Sequence, residues 1–199
     1  LIGYFADGPW AHNALELLLK NKKIEIAFIC PRYDNPDLFL KEKANKVGID
    51  FLVEKDINTL KFQKKLNEYG CELFVSMSFN QIFKKSTFSI PKNGTINCHA
   101  GKLPFYRGRN VLNWALINGE KEFGITVHFV DEGIDTGDIL VQKTFPINEN
   151  DNYKTLLNKS YKECPKLLLN SILKIMDNKF GEKIYKIFFV QLFFNTIWS

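Results

Sequence analysis

From Leu1 to Ser78, short apolar runs alternate with longer segments whose apolar residues recur every three or four positions. LIGYF (Leu1 to Phe5) is the first run, closed by Asp7-Gly8-Pro9, and a helical pattern follows from Pro9 to Lys20. Proline suits a helix's first turn, where its missing N–H would have had no partner. Ile24 to Cys30 is a second buried run, stopped by Pro31. A helical segment from Pro36 to Val47 leads through Gly48 to a third strand, Asp50 to Val53. Another, Asn58 to Tyr69, ends at Gly70 and feeds the strand Glu72 to Ser78. Short apolar strands separated by helices of about ten residues are the mark of βαβ units and a parallel sheet. The predicted class is α/β, a Rossmann-like wound, mostly parallel sheet.

Beyond Ser78 the pattern changes. TINCHA (Thr95 to Ala100) reads as a strand entering a loop dense in glycine, proline and arginine, and a helix is predicted from Val111 to Asn118. Two β runs follow, Gly124 to Val130 and Asp138 to Ile147, placed to pair antiparallel around EGIDTG. From Asn152 to Met176, Tyr153, Leu156, Leu157, Tyr161, Cys164, Leu167, Leu168, Ile172, Ile175 and Met176 recur at helical steps. They form one face of a long amphipathic helix, expected to bend at Pro165. This divides the chain into a core, residues 1–150, and a C-terminal helix with a short apolar tail, residues 151–199. The aromatic tail from Ile184 to Ser199 reads equally as a strand, a dimer contact or an aberrant end.

Composition narrows the partners. Apolar residues are 45% and charged residues 25% of the chain, a mix that builds a folded core and excludes collagenous or disordered classes. The net charge is +5, but the lysines are scattered rather than clustered, which argues against a nucleic-acid footprint. Cys30, Cys71, Cys98 and Cys164 show no CxxC and no metal-ligand spacing, so they read as reduced intracellular thiols. The longest charge-free stretch, Ile187 to Ser199, has 13 residues, short of the roughly 20 that span a bilayer. With no signal-peptide pattern ahead of the first strand, a cytoplasmic protein without a membrane partner is expected. Neither GxGxxG nor GxxxxGK[ST] occurs, so dinucleotide and P-loop functions lose their main support.

Candidate chemistry concentrates between Asn97 and Asp138, where two of three histidines and two of three arginines fall. Asn97 and His99, two apart on a predicted strand, share a face. A carboxamide there can donate to a developing oxyanion, and an imidazole can take a proton from an attacking nucleophile. Such a histidine needs a carboxylate to orient it, and Asp131, Asp135 and Asp138 all lie in VDEGIDTGD. Cys98 alternates to the opposite face, and His99, His128 and the aspartates lack metal spacing, so no metal is expected. Taken singly, each residue also has a structural reading: aspartates beside glycines form turns.

In order, NCHAGKLPFYRGRN followed by GITVHFVDEGIDTGDIL resembles the 10-formyltetrahydrofolate-dependent formyltransferases. That family's pattern is Asn-x-His, a Leu-Pro-x-x-x-Gly loop, then an aspartate 36 residues past the histidine; here the three positions are Asn97, His99 and Asp135. His128 matches a supporting position. The resemblance implies formyl transfer from the cosubstrate 10-formyltetrahydrofolate to an amine, with Asn97, His99 and Asp135 catalytic. It places the pterin against Met77, Phe79, Gln81, Ile82 and Phe83 and against Val130, Asp131 and Gly133, largely through backbone contacts. Phe79 and Phe83 are also readable as core.

Within the family the likeness is to sugar N-formyltransferases, because of the first loop FADGPW, the stretch GKLPFYRGRNVLNWALING, and a chain too short for a C-terminal RNA-binding domain. The acceptor implied is a nucleotide-linked amino sugar such as dTDP-4-amino-4,6-dideoxyglucose. Lys102 and Arg107 are then candidates for its phosphates, Trp10 for stacking, and Tyr106 and Asn113 for the sugar. Lys102 as a surface lysine, Arg107 and Arg109 as loop-bracing cations, and Trp10 as packing are the structural alternatives. The likeness fades after Met176, which leaves homodimerisation open and keeps two other functions in play. One is hydrolysis of the formyl donor by water; the other is binding of folate or nucleotide sugar without catalysis.

Overall fold

The computed structural model describes residues 1–177; the expectations for the tail from Ile184 to Ser199 lie outside them. The strands are β1 (Ile2–Ala6), β2 (Ile26–Cys30), β3 (Asp50–Phe51), β4 (Leu73–Met77), β5 (Thr95–His99), β6 (Glu122–Phe129) and β7 (Ile139–Pro146). Between and after them lie α1 (Gly8–Leu19), α2 (Leu38–Val47), α3 (Leu60–Glu68), α4 (Lys85–Phe88), α5 (Val111–Ile117) and α6 (Tyr153–Met176). They form one seven-stranded sheet in the order β3-β2-β1-β4-β5-β6-β7. Strands β1 to β5 pair in parallel, while β6 and β7 join antiparallel, as the alternation and the hairpin pattern predicted. The wound α/β class therefore holds, and the order turns back between β1 and β4. Such a reversal opens a crevice beyond the strands' carboxyl ends.

Alternation along β1 divides the core. Ile2, Tyr4 and Ala6 face one side with Leu15 and Leu18 of α1 and Leu168 and Ile172 of α6. Phe5 faces the other with Phe28, Phe74, and Phe62 and Leu66 of α3. Residue 3 shares that second face. A Cβ there would meet the Phe28 ring at 2.4 Å and the Phe74 ring at 2.9 Å, so glycine makes room for two rings that meet edge to face.

Helix ends are set by side chains close in sequence. Asn152 caps α6 through bonds from the Lys154 and Thr155 amides, and Thr155 Oγ1 accepts from the Asn152 amide in return. Pro165 lies inside α6 and cannot bond the Tyr161 carbonyl one turn earlier. That carbonyl accepts instead from Asn13 Nδ2 of α1, at 3.4 Å. The sequence reading did not find α4. It is a single turn braced by Gln63, whose Nε2 donates to Ser86 Oγ at 2.8 Å and Thr87 Oγ1 at 3.1 Å. All four cysteines are buried free thiols, Cys98 among the core residues as its alternation required. No helix among the described residues is long and apolar enough to cross a membrane.

Gly3→Ala should force the Phe28 and Phe74 rings apart and cost about 1–3 kcal/mol of stability, the usual range for overpacking. Urea unfolding of the two proteins checks this.

Candidate functional site

The carboxyl ends of β1, β4 and β5 open into a cleft of about 840 Å³. Asn97 and His99 stand on β5 and point to it together. The antiparallel register sets His128 of β6 opposite Asn97, which brings a second imidazole onto the same face. The loop between β6 and β7 supplies Asp135, held in the left-handed region at φ +51°, which aspartate tolerates better than most residues. That loop is tight. A Cβ at Gly137 would lie 1.9 Å from the Phe129 carbonyl oxygen, and Asp131 accepts from the Gly133 amide and from the Thr136 hydroxyl.

Asp135 ties the site together. Its Oδ2 accepts from the Gly108 amide at 2.9 Å and lies 3.6 Å from His99 Nδ1. Its Oδ1 accepts from Asn97 Nδ2 at 3.4 Å and lies 3.3 Å from His128 Nε2. Asn97 Nδ2 is also 3.3 Å from His128 Nε2, while His128 Nδ1 donates to the Phe129 carbonyl at 2.7 Å. Burial alone would raise the Asp135 pKa. The His128 bond, the His99 ring and the Gly108 amide outweigh it and hold the carboxyl at about 2. Asp135 is therefore an anion at neutral pH.

His99 is fixed through its other nitrogen. Nε2 donates to the Tyr106 carbonyl at 2.6 Å, so the basic lone pair of the neutral ring is on Nδ1, facing Asp135. Burial lowers the His99 pKa more than Asp135 and the Tyr106 carbonyl raise it. The ring is thus neutral at pH 7 and ready to accept a proton, with an anion placed to stabilise the resulting cation. A Cβ at Gly101 would lie 2.3 Å from His99 Nε2 and 2.2 Å from the Tyr106 oxygen. Only glycine leaves the space for that bond.

The sequence-derived candidates divide. Met77, Phe79, Gln81, Ile82, Phe83, Val130, Asp131 and Gly133 all line the cleft, as does Trp10. Phe83 is at the same time buried in the aromatic cluster around Phe5, and Trp10 packs edge-on against Tyr161 at 4.7 Å. Lys102, Tyr106, Arg107 and Asn113 do not line it. Lys102 Nζ is drawn 2.6 Å from Glu122 Oε1, and Tyr106 donates its hydroxyl to Glu120 Oε1 at 2.6 Å. Both brace the 101–110 loop from outside, which fixes the carbonyl that His99 uses. Asp7, Arg32, Asn80 and Arg109 line the cleft without having been selected from the sequence. They come from separate loops, and only the strand order brings them together.

An ionised carboxylate, a neutral imidazole and a carboxamide at the mouth of a crevice in a wound sheet are groups with the chemistry to support acyl transfer to a nucleophile. The chain belongs to the formyl transferase family, whose model matches residues 4–172. It is 39% identical over 136 residues to the methionyl-tRNA formyltransferase of Thermodesulfovibrio yellowstonii, covering 68% of this chain and 44% of that protein. To the methionyl-tRNA formyltransferase of Clostridium tetani it is 37% identical over 183 residues, 86% of this chain and 57% of the relative. Among solved structures, a phosphoribosylglycinamide formyltransferase from Bacillus halodurans superposes with a TM-score of 0.78 at 22% identity, over 89% of this chain and 96% of that one. A sugar 3N-formyl transferase, crystallised in the presence of dTDP and 5-N-formyl-THF, superposes with a TM-score of 0.69 at 26% identity. That match covers 94% of this chain and 68% of the other. Because the chain spans only 44% of the first of these relatives, its length does not separate the acceptor classes.

Because His99 is buried neutral, its folded pKa lies below the unfolded value of about 6.5, and the unfolded chain takes up its proton first on acidification. The contribution of His99 to stability is complete above that unfolded value and is lost as pH falls through the lower folded one. Unfolding free energies at pH 7.5 and pH 5 should show this loss, with a smaller difference in His99→Gln.

Proposed function

We propose that the cleft transfers a formyl group from 10-formyltetrahydrofolate to the amine of a nucleotide-linked amino sugar. The observation that carries this reading is the convergence of Asn97, His99 and Asp135 at one mouth of the cleft, with Asp135 bonded both to Asn97 of β5 and to the Gly108 amide of the loop that follows it. The residues fit the pterin: Ile82 and Ile134, 69% and 61% exposed, present apolar surface on the walls, beside Phe79 and the backbone of 130–133. A flat heteroaromatic ring covers such side chains and takes its polar contacts from the main chain. On this reading the catalytic unit is the 1–150 core, with α6 closing the sheet behind it.

The three catalytic groups divide the work. Asn97 donates an amide N–H to the oxygen that gains negative charge as the amine adds to the formyl carbon. His99 Nδ1 takes the proton released by the amine. Asp135 stabilises the imidazolium, and the same ring returns the proton to the departing folate nitrogen. His128 holds Asn97 and Asp135 in register.

The acceptor has two readings. GKLPFYRGRNVLNWALING and the FADGPW loop favour a nucleotide sugar, as does the likeness to a sugar 3N-formyl transferase. The methionyl-tRNA formyltransferases among the sequence relatives favour an aminoacyl-tRNA amine.

Incubating the protein with 10-formyltetrahydrofolate and a panel of nucleotide-linked 4-amino and 3-amino sugars, beside methionyl-tRNA, should add one formyl group to an amino sugar, read by mass spectrometry. Formylation of methionyl-tRNA alone would replace the sugar reading; formate release without an acceptor would indicate hydrolysis. Folate binding without turnover would leave a binding protein. His99→Asn and Asp135→Asn should each lower kcat by about 10²–10⁴-fold in folded protein, the range for lost proton transfer and oxyanion support.

A further inference from the structure

The two ends of the cleft differ in charge. At the β1–α1 turn, the amino end of α1 is an ordinary place for a bound anion, since its first amides lack helical partners. Here those amides are already used. The Asp7 amide donates to the Met77 carbonyl at 3.2 Å, Gly8 donates to Asp37 Oδ2 at 3.0 Å, and Pro9 has no N–H. Asp37 serves two helices at once: its Oδ1 accepts from the Leu40 amide at 3.0 Å to cap α2, and its Oδ2 also contacts His12 Nε2 at 2.7 Å. The chain's own carboxylate occupies the position an anion would take.

Further negative charge surrounds it. Asp7 lines the cleft, and burial, set against Arg32 and reinforced by Asp37 and Asp34, holds its carboxyl above the usual range. Arg32, the cation on this wall, is committed. Its Nε and one terminal nitrogen form a fork onto Asp34 at 2.7 Å each, and its other terminal nitrogen lies 3.8 Å from Asp7. Of the first amides of α1, among the described residues, the Trp10 N–H is left to receive a phosphate.

The opposite wall presents Arg109. Among the described residues lining the cleft it is the one arginine or lysine without a carboxylate partner. Its backbone is anchored next door, because the Gly108 amide one residue earlier donates to Asp135. The residue lines the same cleft as Asn97, His99 and Asp135. Arg107, on the far side of Gly108, is off the cleft.

We propose that Arg109 holds the anionic group of the acceptor, a phosphate or diphosphate linked to the amine-bearing part, and that Asp37 bars anions from the β1–α1 end. This rests on formyl transfer to a nucleotide-linked amine and fixes how the acceptor lies: phosphates toward the start of α5, away from α1. It also assigns the phosphate contact to Arg109 where the sequence pointed to Lys102 and Arg107.

The test uses inorganic pyrophosphate as probe, titrated into the full chain and followed by calorimetry and by amide and Arg Nε NMR signals. Pyrophosphate should shift the Arg109 Nε signal and leave the Gly8 amide in place. Arg109→Gln should weaken binding by about tenfold, the equivalent of one charge-assisted contact, and Arg107→Gln by less than about twofold. Asp37→Asn, which retains a capping side chain for α2, should make the Gly8 amide respond to pyrophosphate. No binding to the wild type, or equal losses in both arginine variants, would overturn the role of Arg109. A Gly8 amide silent in Asp37→Asn would overturn the exclusion. None of these readings involves folate or turnover, so a chain that binds pyrophosphate through Arg109 but transfers no formyl group defeats only the catalytic reading.

Discussion

The Asp135 carboxylate is the tie on which the site depends. Three segments distant in sequence meet on its two oxygens: Gly108 from the loop after β5, Asn97 from β5 itself, and His128 from β6. Without a full negative charge there, the bond from the Gly108 amide would lose its charge assistance and the loop part of its anchor. With the charge, the same atoms that hold the loop also orient His99. Structural and chemical demands on the residue coincide, which is why its carboxyl is held at about 2 despite burial that works against ionisation.

The sheet explains why these segments meet. β5 is the last parallel strand and β6 returns beside it antiparallel, so the end of β6 adjoins the start of β5, where the Val130 amide donates to the Thr95 carbonyl, and the loop that follows folds back to bring Asp135 to Asn97 and His99. The 101–110 loop is then held from outside by Lys102 to Glu122 and from beneath by Gln142, whose Nε2 donates to the Leu103 carbonyl at 2.8 Å. Exposed ion pairs of this kind add little to overall stability. Their effect here is local: they fix the direction of the Tyr106 carbonyl and with it the tautomer of His99.

Much of this was legible in the sequence because it depends on near neighbours. Two-residue alternation placed Asn97 and His99 together and sent Cys98 to the core; the glycine and proline stops placed β1 to β5. The capping pair Asn152 and Thr155 began α6 within a residue of its predicted start. What could not be read depends on residues far apart. The turn α4 exists because Gln63, more than twenty positions earlier, satisfies its hydroxyls. Lys102 and Tyr106 looked like ligands because their acidic partners, Glu122 and Glu120, become neighbours only after the chain has doubled back.

The arginines show the same limit more sharply. Arg107 and Arg109 are both exposed, two positions apart in a loop with no strand periodicity, so nothing in the local pattern ranks one above the other. The bond from Gly108 to Asp135 breaks the symmetry, since it pins the backbone between them and leaves one side chain on each side of the pin. On the proposed function, phosphate selection and proton transfer have a common origin: the carboxylate beside His99 also anchors the backbone between the two guanidinium groups, and a substitution at Asp135 would disturb both.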